Sequence, residues 1–72
     1  MNRQPVESSN VESVGWENGT LEVEFKNLKG INPVYQYSPV SENQYRNIIG
    51  SWQPGVEVRK ISSDKGIVCT KL

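Results

Sequence analysis

Thr20-Leu-Glu-Val-Glu-Phe-Lys26 decides the fold. Apolar residues fall on every second position, so Leu21, Val23 and Phe25 share one face of a strand. Glu22, Glu24 and Lys26 are expected on the opposite, wet face. Burying three such side chains contributes about 4–8 kcal/mol before chain entropy is subtracted. Just upstream, Glu17-Asn18-Gly19 follows a second strand-like run, Val11 to Trp16. Asn-Gly between two such runs is the strongest short-range hairpin signal, so the two strands pair antiparallel. Val11 and Val14 lie on opposite parities, which predicts a bulge or bend near Ser13.

Downstream, Asn27 to Pro33 is a polar loop, long for a hairpin connection. Val34 to Tyr37 reads as a third strand, with Tyr35 and Tyr37 on one face, ended by Ser38-Pro39. Ser41-Glu-Asn-Gln44 is a capping box, and Val40 before it is placed to staple onto Tyr45. Tyr45, Ile48 and Ile49 continue at helical spacing and Gly50 is a stop signal. Beyond Ser51-Trp-Gln-Pro-Gly55, the runs Val56 to Ile61 and Ile67 to Thr70 read as two strands joined through Asp64 and Gly66. The expected order is β-β-β-α-β-β, an α+β domain with a small antiparallel sheet packed on one short helix.

Seventy-two residues make one domain, 1–72, of a size that buries a small core. Cys69 is the only cysteine and there is no histidine, so an internal disulfide and the usual zinc spacings are excluded. Self-association is therefore the expected stabiliser. Met1 to Glu7 lacks the apolar run of a signal peptide, and no stretch approaches a membrane span. A cytoplasmic setting is expected. Eight basic and eight acidic side chains cancel. Glu7, Glu12, Glu17, Glu22 and Glu24 crowd the first third, whereas Lys and Arg predominate from Lys26 onward.

These residues, in this order, resemble the KTSC domain family. The resemblance runs from residue 3 to about residue 50. It is carried by Arg3-x-Pro5-Val6, Ser8-Ser9-Asn10, Leu21-Glu-Val-Glu-Phe25, Tyr35-Gln-Tyr37 and the helix entering at Glu42 with Tyr45. The family is found at the C-terminus of some lysyl-tRNA synthetases and as free-standing bacterial or phage proteins. The resemblance implies a small binding module, with RNA as one proposed ligand. Two features depart from the pattern. The Asn27 to Pro33 loop is longer than usual, and the segment after Gly50 lacks the typical basic, aromatic tail.

The side chains available point to binding rather than catalysis. Without histidine there is no Ser-His or Cys-His couple, and Glu22 and Glu24 on one strand face do not span a cleft. No catalytic residue, metal or cofactor is expected. Cys69 continues an apolar alternation from Ile67 and is expected to be a buried thiol. Tyr35 and Tyr37 are candidates to stack on bases; packing beneath the helix is the plainer reading. Trp52 caps the core, lines an interface or covers a ligand. Ser8, Ser9 and Asn10, with Arg59, Arg46 or Lys60 nearby, would form a small anion site. One or two cations suit a small nucleotide or a very short single-stranded RNA, not a polynucleotide. A signalling nucleotide held by sequestration fits the same features. The alternative is a protein-interaction or inhibitor module, such as a phage counter-defence protein, that uses a sheet edge on a host protein.

Overall fold

A computed structural model describes residues 1–72. Strands β1 (Gln4–Pro5), β2 (Val11–Glu17), β3 (Thr20–Phe25) and β4 (Val34–Ser38) precede helices α1 (Glu42–Gly50) and α2 (Pro54–Ser62), and β5 (Val68–Lys71) ends the chain. All five strands form one antiparallel sheet in sequential order, β1-β2-β3-β4-β5. The α+β architecture expected from the sequence is the one observed, with a second helix added.

Its first hairpin follows the Asn-Gly signal. Asn18 and Gly19 both have positive φ, 49° and 84°, the backbone that matches the twist of paired strands. The anticipated irregularity is there too, because the β2–β3 register slips between Val11 and Ser13. One extra residue on β2 returns Val11 to the face of Val14, and both are fully buried. On the same face lie Leu21, Val23 and Tyr37, roofed by Val40, Ile48, Val58 and Ile61.

The capping box at α1 is complete: Gln44 N–H donates to Ser41 Oγ at 3.1 Å, and Ser41 N–H donates to Gln44 Oε1 at 2.8 Å. Val40 is pinned from both sides. Its N–H donates to Gly19 O at 2.8 Å, and its carbonyl accepts from Trp16 Nε1 at 2.7 Å. Trp16 in turn stacks on Tyr45, with centroids 6.5 Å apart. Of the two isoleucines in α1, Ile48 is buried and Ile49 is 39% exposed.

Val56 to Ile61 is helix, not the expected strand. The alternation of Val56 and Val58 suggests a period of two, but Val56 points outward. The residues that are buried, Pro54, Val58 and Ile61, lie at i, i+4 and i+7, one face of a helix. Pro54 in the first turn is pre-set for helical φ, and Arg59 and Lys60 in the last turn suit its dipole. The Asp64–Gly66 turn survives, with Gly66 N–H donating to Asp64 Oδ1 at 2.8 Å, but it links α2 to β5. The last strand pairs with β4 of its own chain. Cys69 is exposed rather than buried, because all four β5 residues lie on the sheet edge. Burial pushes the neighbouring Tyr37 phenol up to about 12, helped by the Cys69 thiol and Tyr35.

The outer face of the sheet is not simply wet. Glu22 is buried at 6% exposure, under a polar layer laid down by the N-terminal segment. The Arg3 guanidinium pairs with Glu22 Oε2 and donates through Nε to Ser13 Oγ at 3.1 Å. Gln36 Nε2 donates to Glu22 Oε1 at 2.9 Å, and Ser13 Oγ and Asn32 Nδ2 donate to the two Glu24 oxygens at 2.7 and 3.0 Å. The Gln36 bond, then Arg3, holds the Glu22 carboxyl below its ordinary 4.5 despite burial. Ser13 and Asn32, with Arg3 beyond them, do the same for Glu24.

Two outcomes follow from the packing. Ile48→Ala should cost about 2–5 kcal/mol in urea unfolding, because it empties a fully buried site. Ile49→Ala, one residue on, should stay within about 0.5 kcal/mol; equal losses would show that α1 is rotated. The carboxylates give a pH dependence. Their folded pKa values lie below the ordinary 4.5, so the unfolded chain binds more protons and stability falls as pH drops. The contribution is whole above about pH 4.5 and is lost below it. Glu22→Gln with Glu24→Gln should flatten the stability profile in that window, as read from unfolding midpoints between about pH 2 and 6.

Candidate functional site

The turn before β2 and the start of α2 face each other across a cleft of about 470 Å³. Ser8, Ser9 and Asn10, with Glu7, form one wall; Trp52 to Val56 and Arg59 form the other. Five of the seven residues singled out from sequence therefore meet in one place: Ser8, Ser9, Asn10, Trp52 and Arg59.

Each wall is fixed by local chemistry. The Ser8 hydroxyl accepts from the N–H groups of Asn10 and Val11 at 3.3 and 3.2 Å and donates to Asn10 Oδ1 at 2.9 Å. It is thus consumed in holding the turn, which leaves Ser9 and Asn10 as the exposed polar side chains. Lys26 ties the turn to the end of β3, its Nζ donating to Ser8 O at 2.7 Å and its N–H to Asn10 O at 2.9 Å. On the other wall, buried Pro54 anchors the first turn of α2, and Gly55 presses against the Ser8–Asn10 turn. A Cβ at Gly55 would overlap Asn10 Oδ1 and lie 3.1 Å from Ser8 Oγ. The missing side chain is what allows the walls to approach.

Two side chains at the rim are free to engage a ligand. Trp52 is 91% exposed, so its indole faces are open. Arg59 is exposed and belongs to no ion pair, whereas Arg3, Arg46 and Lys60 are each matched to a glutamate. The cleft thus combines an aromatic face, one unmatched cation, the N-terminal turn of a helix and the Glu7 carboxylate. Such a set can stack a planar ring and balance one negative charge.

Tyr35 and Tyr37 lie elsewhere. Both sit on the helix side of the sheet: Tyr37 is 4% exposed, and Tyr35 packs edge-on against Phe25 with centroids 5.6 Å apart. Arg46 pairs with Glu42 on α1 at 3.1 Å. The cleft residues that sequence reasoning passes over are Glu7, Gln53, Pro54, Gly55 and Val56. Pro54-Gly55 beside Trp52 is the available signal, but in sequence it reads as a turn leading into a strand. A second concavity of about 460 Å³ is lined by Arg3, Ile31, Asn32, Pro33, Val34, Lys71 and Leu72. Its Arg3 is already spent on Glu22. No group of three or more Cys, Asp or Glu side chains is placed to hold a metal, and no helix is long and apolar enough to cross a membrane.

A five-strand antiparallel sheet with two helices on one face and a cleft at the start of the second defines a small α+β module. The KTSC domain family model matches residues 7–55, and the chain belongs to that family. A crystal structure of a KTSC domain protein from Yersinia pestis superposes with a TM-score of 0.80 at 32% identity, covering 99% of this chain and 96% of that one. No curated protein matches the chain. The segment after Gly50, which departs from the family pattern in sequence, is thus part of the shared fold. Residues 7–55 include the Ser8–Asn10 turn, Trp52 and Gly55; Arg59 lies beyond them.

Gly55→Ala should push the Asn10 side chain off Ser8 Oγ and cost up to about 1 kcal/mol, the overpacking being partly offset by the better helix propensity of alanine. Adding Asn10→Ala should recover much of that loss in a double-mutant cycle. Additive losses would mean that the two walls do not meet as described.

Proposed function

We propose that the cleft binds a small nucleotide or the end of a very short single-stranded RNA, and that the protein acts by holding that ligand, without chemistry. One observation carries this reading: the open indole of Trp52 and the unmatched Arg59 share a cleft of nucleotide size. A base stacked on an aromatic face contributes about 1–3 kcal/mol. Arg59 and the first turn of α2 would take a phosphate, and Ser9 and Asn10 offer donors and acceptors to a base or sugar. Charge limits the size of the ligand. One cation facing Glu7 cannot supply the counterion release that holds a long polyanion. A signalling nucleotide sequestered in the cell fits these terms. The protein-interaction reading is favoured by a different feature: Leu28 and Ile31 on the β3–β4 loop are 101% and 92% exposed.

Thermal shift with linear and cyclic nucleotides and with RNA di- to tetranucleotides tests the cleft. A ligand at 100 times its dissociation constant should add about 2.7 kcal/mol of stability. Tryptophan fluorescence should be quenched on binding, and Trp52→Ala or Arg59→Gln should each weaken binding about tenfold while leaving the unliganded melting temperature within about 2 °C. No shift and no quenching across the whole panel would reject the nucleotide reading. Capture of a partner lost on Leu28→Ser with Ile31→Ser would then support the interaction reading.

A further inference from the structure

The two edges of the sheet are unlike. β1 lasts two residues and carries Pro5, which has no N–H to offer. β5 is four residues long, without proline or bulge, and all four of its residues are exposed. Its outward groups can be assigned. Leu72 N–H donates to Val34 O, so Val34/Leu72, Gln36/Thr70 and Ser38/Val68 are the hydrogen-bonded pairs of the β4–β5 ladder. Cys69 and Lys71 alternate with them, and their N–H and C=O groups therefore point away from the sheet.

The side chains are as telling as the backbone. The charged layer of Arg3, Glu22 and Glu24 stops at β3. Beyond it the outer face of β4, β5 and the adjoining Leu72 holds Val34, Gln36, Ser38, Val68, Thr70 and Leu72, with no charged side chain among them. Val68 and Leu72 are 66% and 63% exposed. The domain's own core, nine buried apolar residues, leaves this strip uncovered.

We propose that β5 is the pairing edge of a symmetric dimer, in which two copies of this chain join antiparallel about an axis through Thr70. A second copy fits because the strand is complementary to itself in this register. Cys69 lies opposite the partner's Lys71, and the outward groups of these residues make four backbone hydrogen bonds across the axis. Val68 meets the partner's Leu72 twice on the outer face, and the two Thr70 side chains meet at the centre, a favourable cross-strand pair. Neighbouring registers are poorer. Centring on Lys71 opposes two cations. Centring on Cys69 calls on the Ile67 N–H, which already donates to Asp64 O at 3.1 Å. The result is a continuous ten-stranded sheet. None of the cleft residues lies in β5, so the dimer stands or falls independently of what the cleft binds.

Sedimentation of the full chain from about 1 µM to about 1 mM should show a reversible monomer–dimer equilibrium. Lys71→Pro removes only outward N–H groups and should raise the dimer dissociation constant about tenfold or more. Thr70→Lys places two cations at the axis and should weaken the dimer without touching the core. Register is tested by cross-linking. Thr70→Cys with Cys69→Ser puts two thiols at a non-hydrogen-bonded pair, where Cα atoms about 4.5 Å apart permit a disulfide. It should form a covalent dimer under mild oxidation far faster than the unaltered chain, whose Cys69 faces lysine. A monomer at every concentration, a dimer indifferent to both edge substitutions, or equal cross-linking by the two proteins would overturn the proposal.

Discussion

One unpaired residue on β2 governs the geometry of the domain. Between Val11 and Ser13 the strand carries one residue more than β3 can match. Without that slip, Val11 and Val14 would face opposite sides of the sheet, and the core would lose a residue that is fully buried. The bulge sits at the start of β2, directly after the Ser8–Asn10 turn. That turn is one wall of the cleft, so a single register defect serves both the packing and the site. The helices complete the arrangement, with Ile48 from α1 and Val58 and Ile61 from α2 closing over the same apolar face.

Much of this was legible in the sequence where the signal was local. Asn18-Gly19 named the hairpin, the parity of Val11 and Val14 named the bulge, and Ser41 with Gln44 named the start of α1. The second helix was harder to read, because Val56 and Val58 imitate a strand and β-branched residues favour one. Only the burial of Pro54, Val58 and Ile61 reveals the longer period. Burial of Glu22 was beyond sequence reasoning for the same reason: a glutamate in an alternating strand reads as solvated until Arg3 and Gln36 are brought to it across the sheet. Exposure of Cys69 depended on β5 being an edge, which is a property of topology rather than of the Ile67–Thr70 pattern.

The site shows the same division. Short polar residues before a strand and a cation in the last third of the chain were recognisable separately. Their meeting depends on Val56 to Ile61 being helix, which the Val56/Val58 alternation conceals. The aromatic pair most prominent in the sequence, Tyr35 and Tyr37, serves the interior, whereas the aromatic face left open in the cleft is that of Trp52, which no alternation explains. The polar layer on the outer face has its own role. It covers β3 where the helices do not reach, and satisfies two carboxylates at little exposed surface.

The close approach at Gly55 carries a further meaning. Its two sides belong to stretches of chain more than forty residues apart, one leading into the sheet and the other emerging from between the helices. Both stretches line the recess, so it is a property of the closed chain as a whole. A guest seated there would act as a clasp between the beginning and the later part of the polypeptide. Its departure and the loosening of the tertiary structure would then be two views of one event.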